Sequence, residues 1–384
     1  MKRTPRAVQL AVAERLAHLD SAAWDELTAD ASVFVRRPFL TALEKARPAN
    51  LSPRYALLYL EERPVAAVVL QLVRVEGRSA IAVAGPWGNV AQLVDERALV
   101  LGNLAAWGET GLIIAPWADA DQRRLVWMES LRLVDRLRRF EKAEGSINVS
   151  FVRDATNAED PSALELAGYQ RAPAGPDMIL NCGAAKSFDD YLKLLASKRR
   201  RAVKKTCEDV EAAGYRLVQL EGAALDRHAD RIEELYAQVW ANAEVRPLKL
   251  SGAFFVELKK QLRDDCVIVG LETATGELDA FGVSLRSGHD AVGYYLGFER
   301  GVEAPLYLRL LINILENGFA WGARTISLGR TAEEPKARLG AEPGGTSLWV
   351  KHRTPPLNFA IGAILGSIEA PRIETHRVFK AAAE

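Results

Sequence analysis

Three stretches of this 384-residue chain gather side chains able to hold or move charge. In "ISLGRTAEEPKARLGAEP" (326–343) a short apolar strand runs into Gly329-Arg330-Thr331, followed by Lys336 and Gly340. Glycine lets the backbone turn tightly there. Arg330 and Lys336 supply cationic donors and Thr331 a hydroxyl, a set suited to a phosphate or a carboxylate. The same residues also read as a salt-bridged loop, Arg330 or Lys336 against Glu333 or Glu334. The second stretch is "SFDDYLKLLASKRRRAVKKTCEDVEAAGY" (187–215), where Ser187 and Asp190 make an S-x-x-D box that starts a helix. Leu192, Leu195, Ala202, Val203, Cys207 and Val210 fall near one face, and the cations 198–201, 204 and 205 lie mostly elsewhere. That run reads as a solvated face, as a contact between residues such as Arg201 and a carrier or substrate phosphate, or as a contact with tRNA.

The third set is aromatic and acidic. Tyr294 and Tyr295 stand in "GYYLG" (293–297), and Tyr236 and Trp240 are four apart in "DRHADRIEELYAQVW" (226–240). On an unbroken strand the two tyrosines would face opposite sides, one in the core and one out. Tyr236 and Trp240 read as core or as the lining of an acceptor pocket. Glu244, in the following "ANAEVRPLKL", is a carboxylate able to take a proton from an amine. His228 lies among helical charges and reads as a surface residue.

Composition removes other chemistries. Lysine plus arginine equals aspartate plus glutamate at 50 each, which argues against a dedicated polyanion binder. Cys182, Cys207 and Cys266 are odd in number and far apart, without metal-ligand spacing, so neither a disulfide scaffold nor a bound metal is expected and a reducing cytoplasm fits. The charged opening "MKRTPRAVQLAVAERLAHLD" has no apolar h-region, and no apolar run is long enough to span a bilayer. No GxSxG, HExxH or complete GxxxxGK[ST] occurs.

These residues need elements to hold them. Residues 7–29 read as helical, and Tyr55–Leu60 with Val65–Val75 as a hairpin across Glu-Glu-Arg-Pro. Strands at 111–116 and 147–152 flank a helix over 120–145. Residues 171–186 hold Pro and Gly around one short apolar strand and read as a bridge between the halves. The second half repeats the order: a strand at 215–221, helices near 225–242 and 252–263, a hairpin at 266–288 around Thr275-Gly276, and a strand at 290–299. An apolar helix at 303–322 follows, and strands at 325–330 and 347–353 finish the sheet. The boundaries are thus 1–170, 171–186, 187–356 and a tail from 357 to 384. The tail's apolar Leu357–Ile368 is too short to span, and either docks on the core or lies against a membrane or lipid substrate.

Three places carry a resemblance: the basic helix at 187–215, "GYYLGFERGVEAPLYLRLLINILENGFAWGA", and the Gly-Arg-Thr-Ala…Lys…Leu-Gly-Ala pattern of 329–341. "WDELTADASVFVRRPFLTALEKA" (24–46) adds a fourth. On these the chain resembles the GNAT acyltransferase superfamily in its Fem-like branch, over most of its length apart from residues 80–110. The resemblance implies an α/β (α+β) fold of two tandem GNAT-like domains, each a mixed, mostly antiparallel sheet flanked by helices. The second would carry the donor site and the first would be degenerate. It implies an N-acyltransferase using acyl-CoA, an acyl carrier protein or aminoacyl-tRNA as donor, with no tightly bound cofactor and no DNA partner. The acceptor would be a small-molecule or lipid amine. It places Tyr294, Tyr295 and Glu244 at the chemistry, Gly301, Arg330, Thr331 and Lys336 at the donor, and Tyr236, Trp240 and Arg201 at the substrate. One departure stands out: where the superfamily has an Arg/Gln-x-x-Gly-x-Gly/Ala loop, this chain has "ERGVEAPLYL", which keeps Gly301 but not the second glycine. The departure argues against an ordinary acetyl-CoA donor and leaves a differently bound carrier or a longer acyl chain open. A ligase fed by aminoacyl-tRNA, and a silent binding protein that kept the fold, are the alternatives.

Overall fold

The computed structural model describes residues 8–75, 96–141, 145–154, 161–172, 174–241, 248–365 and 378–379. Contacts divide the chain into two compact units. The first is Met1–Ala174, Glu244–Leu248 and Thr346–Ala370; the second is Gly175–Ala243, Lys249–Gly345 and Pro371–Glu384.

The first unit opens with β1 (Val8–Ala13), α1 (Ser21–Thr28), α2 (Arg37–Lys45) and the hairpin β2 (Leu51–Leu60) and β3 (Arg63–Val75). It continues through β4 (Glu96–Leu101), β5 (Leu112–Ile114), α3 (Ala120–Phe140), β6 (Ile147–Arg153), α4 (Pro161–Leu166) and β7 (Gln170–Ala172). The second unit begins with β8 (Asp177–Asn181), α5 (Phe188–Leu194), α6 (Ser197–Ala212), β9 (Arg216–Gln219), α7 (Gly222–Trp240) and α8 (Gly252–Leu262). Then come β10 (Cys266–Glu272), β11 (Leu278–Ser287), β12 (Asp290–Phe298), α9 (Leu306–Ala320), β13 (Thr325–Ser327), α10 (Glu333–Ala337) and β14 (Glu342–Gly344). Finally β15 (Leu348–His352) and α11 (Pro355–Leu365) return to the first unit.

The first sheet has the order β1-β2-β3-β4-β6-β15-β7, with β5 also on β3, and the second the order β14-β8-β13-β12-β11-β10-β9. Each is antiparallel apart from one parallel pair, β4–β6 in the first and β12–β13 in the second. In both units three antiparallel strands lead into a helix that crosses to the parallel strand, α3 in one and α9 in the other. This is the two-fold repetition of element order expected from the sequence, and the α/β fold with two mixed sheets is as expected.

Several expectations are overturned. Residues 8–13 are a strand, not the start of a helix: β1 pairs with β2 from Val8↔Leu60 to Ala13↔Tyr55. The helix starts only where it can be capped, with the Asp20 carboxylate accepting from the Ala22 and Ala23 N–H groups. The hairpin turn is two residues, Glu61 and Glu62, both at positive φ, so that Leu60 pairs with Arg63. The short strand expected within the bridge is present as β8, but it lies inside the second sheet, between β14 and β13. β15, expected to finish the second sheet, pairs instead with β6 and β7 of the first, where Trp349 joins the apolar core. Periodicity marks a strand but not the sheet that will hold it.

α9 is buried nearly all round, with Leu310, Leu311 and Leu315 fully enclosed. Each such side chain contributes about 1.5–3 kcal/mol of burial. Gly318 lets the helix approach closely, since a Cβ there would sit 2.5 Å from Ile326 Cδ1. α11 covers the β7–β15 edge: Asn358 Nδ2 donates to Gly168 O and its Oδ1 accepts from His352 N. Its other side, with Leu357 and Phe359, is exposed.

Candidate active site

The site grows from "GYYLG". β12 pairs with β11 through Ser284↔Gly293 on one side and Gly282↔Leu296 on the other, so Tyr294 and Tyr295 together oppose Val283. That is a β-bulge, which bends the strand and re-aims side chains. Both rings now lie on one face. Their centroids are 4.4 Å apart, Tyr295 meets Tyr236 of α7 at 5.3 Å, and Tyr294 meets Phe254 of α8 at 6.3 Å. The alternation expected from an unbroken strand does not hold here.

The bulge also changes which face each flanking glycine serves. At Gly293 a Cβ would fall 2.7 Å from Ile314 Cδ1 of α9, and at Gly297 one would fall 2.5 Å from the Leu235 carbonyl carbon of α7. The two glycines thus let α9 and α7 pack closely against the strand.

On its other edge β12 pairs with β13 only at Ala291↔Ile326 and Val292↔Ser327. Beyond that rung the strands part. β13 is drawn towards β8, where Leu328 N donates to Met178 O and Met178 N donates to Gly329 O. β12 stays with β11. Past that rung no pairing joins Gly293-Tyr294-Tyr295 to Leu328-Gly329-Arg330, which leaves a gap in the ladder between the two segments. Splayed neighbouring strands expose backbone groups that can bind a carbonyl oxygen.

The loop leaving β12 is tied to the end of α7. Glu299 Oε2 accepts from Arg231 Nη2 at 2.7 Å and from Gln238 Nε2 at 3.1 Å. Arg300 donates its N–H to Gln238 Oε1 and its Nη2 to Gln238 O. These bonds hold the Glu299 carboxyl below the usual range, the Gln238 and Arg231 contacts being the main causes. Gly301 follows at φ +82°, exposed, and α9 then begins at Leu306 without a side-chain cap. A helix N-terminus in this state favours an anion. Nothing in the sequence pointed to Gln238 or Arg231, because their partners are about sixty residues away.

Tyr236 and Tyr294 are buried, and burial pushes both phenols well above their ordinary 10, with Tyr295 adding to each shift. Both remain neutral O–H groups at physiological pH.

The FemAB-like family, described as peptidoglycan biosynthesis/recognition, matches residues 114–305, half of the chain. This chain belongs to that family. FemX superposes on the FemAB-like chain with a TM-score of 0.57 at 8% identity, covering 90% of this chain and 99% of its own. A tandem GNAT protein from the clavulanic acid biosynthesis pathway gives 0.53 at 14%, covering 91% and 99%. The C-terminal domain of a putative lysylphosphatidylglycerol synthetase from Agrobacterium fabrum gives 0.53 at 10%, covering 92% and 100%. At these identities the likeness is one of fold. No curated protein sequence matches. Family and fold together support acyl or aminoacyl transfer as the class of activity.

The remaining candidates of this FemAB-like chain fall in different places. Trp240 ends α7 one turn after Tyr236 and is half-buried. Glu244 lies outside the described residues. Arg201 is exposed on α6, away from the tyrosine cluster. His228 Nε2 is 3.4 Å from Glu272 Oε1.

Lys336 needs a correction. It is not turned outward to a ligand: it is 3% exposed, and Nζ donates to the carbonyls of Gly329, Arg330 and Thr331 at 2.9, 2.8 and 2.7 Å. An ammonium has three donors, and all are engaged. It staples a loop in which Gly329, Thr331 and Ala332 all have positive φ. Of the two acids in the salt-bridge alternative, Glu334 pairs with Arg338. Gly340, at φ +90°, makes room for Phe379, whose Cζ would lie 2.6 Å from a Cβ there.

Among the described residues no cluster of metal-ligating side chains occurs, and no helix is long and apolar enough to cross a membrane.

Proposed function

We propose that this chain is an N-acyltransferase that moves an acyl group from a thioester to a primary amine by direct attack. The observation that carries this reading is the parting of β12 and β13 after Val292, with the bulged tyrosine pair on its wall. The thioester carbonyl would lie in the gap, its oxygen towards β12. The carrier phosphates would lie at the start of α9, near Gly301, with Arg330 and Thr331 on the opposite wall. A neutral amine attacks from the Tyr236–Trp240 side, the N–C bond forms, and the oxyanion is held by preorganised donors. The C–S bond then breaks, and the thiolate takes up the equivalent of the proton that the nitrogen sheds. Tyr295 would supply an O–H to the developing charge, and Glu244 or water would carry the proton from the amine.

The first unit is inferred to be a scaffold. Its corresponding parallel pair, β4–β6, stays joined from Arg97 to Leu101. The end of that strand is plugged by buried polar groups: Asn103 accepts from Gln71 Nε2, and its own N–H donates to Thr110. The exposed outer side of α11, with Phe359 80% exposed, supports a lipid amine as one acceptor class and a peripheral membrane contact of a cytoplasmic enzyme.

A second reading, transfer from aminoacyl-tRNA, is favoured by the family's link to peptidoglycan. The test incubates the chain with acyl-CoA or aminoacyl-tRNA and a panel of amines, with and without RNase A, and follows amide formation by mass spectrometry. Amide formed from the thioester and unaffected by RNase supports the proposal. Amide formed only from aminoacyl-tRNA overturns it. No product from either donor favours a silent binding protein. Tyr295→Phe should lower kcat about 10–100-fold with little change in Tm.

A further inference from the structure

α6 is charged the wrong way round for a helix. Its first nine residues carry six cations, Lys198 to Lys205, whereas the acids Glu208, Asp209 and Glu211 are in its last turns. The helix dipole favours the opposite arrangement. The first turn has no acid, and the N-cap, Ala196, makes no side-chain cap. Like charges also face each other at helical spacing, in the pairs 198/201, 200/204, 201/204 and 201/205. Among the described residues the ion pair on this stretch is Lys205–Asp209, with the lysine in the less favourable N-terminal position. A solvated face needs none of this, and local choices that oppose the fold mark a site selected for something else.

The position of the helix suggests what that is. Val210 shares a core cluster with Leu306 and Leu310 at the start of α9, and Val203 shares one with Leu311 and Leu315 further along. α6 therefore runs antiparallel along the helix whose N-terminus is proposed to hold the donor phosphates. Lys204 and Lys198 lie about 9 and 18 Å behind Val210 along the axis. The patch is about two turns long and belongs to a chain of zero net charge, whereas an RNA contact needs a broader basic surface. Resting on the thioester reading above, we propose that the exposed basic face of α6 docks a strongly acidic helical surface on a carrier protein that presents the acyl group. Charge complementarity of this kind sets encounter rate and orientation, and it weakens with salt.

The test uses a type II acyl carrier protein in its apo form, which has neither arm nor acyl group, so docking is measured apart from transfer. Transfer itself is read separately, as turnover of acyl-CoA by the wild-type chain. Binding of labelled apo-carrier is followed by fluorescence anisotropy in 50 and 200 mM NaCl against the wild type and Lys198→Glu/Lys204→Glu. That variant converts three of the four like-charge pairs to attractive ones and relieves the dipole clash, at the cost of one new like-charge pair, 204/208. It is expected to weaken binding at least 30-fold while raising Tm by about 2 °C. Wild-type binding should fall at least tenfold between the two salt concentrations. Equal binding by the variant, binding of bulk tRNA with none of the carrier, or binding of neither overturns the proposal.

Discussion

Lys336→Met tests the staple directly. The methionine keeps most of the length and apolar volume of the lysine stem and removes the three donors. Hydrogen bonds from a charged donor contribute about 1.5–3 kcal/mol each, so three amount to about 4.5–9 kcal/mol. Against this stands the cost of burying the ammonium. Burial lowers its pKa from the ordinary 10.5 to about 8, opposed by the charges of Asp177 and Glu333. At 1.36 kcal/mol per pH unit that difference corresponds to about 3 kcal/mol. The balance predicts that the variant is less stable by about 1–5 kcal/mol at pH 7, with Thr331 and Ala332 no longer held at positive φ. The sign of the pH dependence follows from linkage. Between pH 8 and 10.5 the unfolded lysine keeps its proton and the folded one loses it, so the unfolded state binds more protons and wild-type stability rises with pH. The variant lacks that contribution, so its deficit should widen by up to about 3 kcal/mol across this window. Urea unfolding of both proteins at pH 7, 8, 9 and 10, followed by tryptophan fluorescence, measures the difference. Superimposable curves at every pH would refute the staple.

Two further predictions concern the contacts of β12 and its following loop with α7. Gly297→Ala should destabilise by about 1–3 kcal/mol, because its Cβ meets backbone of α7 that cannot move aside cheaply; thermal melting checks this, and an unchanged Tm would contradict the close packing. Gln238→Ala removes two of the bonds that tie Glu299 and Arg300 to α7 and leaves those from Arg231 and to the Gln238 carbonyl. It should raise KM for the thioester about 5–30-fold with kcat within about threefold, and a KM equal to wild type would show that the tie does not organise the donor loop.

The second half was largely legible before folding was considered. Gly276, at φ +83° in the structure, marked the β10–β11 hairpin, and Ser187 announced a helix start by the cap it forms with the Asp190 N–H, although that helix ends at Leu194 and the basic stretch forms a second one from Ser197. The repeated order of strands and the helix between β12 and β13 were also readable, because periodicity, caps and turn residues act over a few neighbours. The candidate site was less so. Tyr294 and Tyr295 were singled out for their glycine flanks, yet their shared face depends on a bulge against Val283. Arg231, Gln238 and Glu299 were missed because each is ordinary in its own window.

By itself, then, the sequence determined two α/β halves, the glycine-framed strand and the motif that follows it. Only tertiary structure decided that Val8–Ala13 is a strand, since its hydrogen-bond partner lies in Tyr55–Leu60. It also decided that Leu348–His352 completes the first sheet, because a strand's ladder is filled by whichever edge the folded chain brings to it. And it turned Lys336 inward. A lysine between two acidic residues and an arginine reads as a surface cation, but three carbonyls of a left-handed loop converge where only a buried ammonium can satisfy them all.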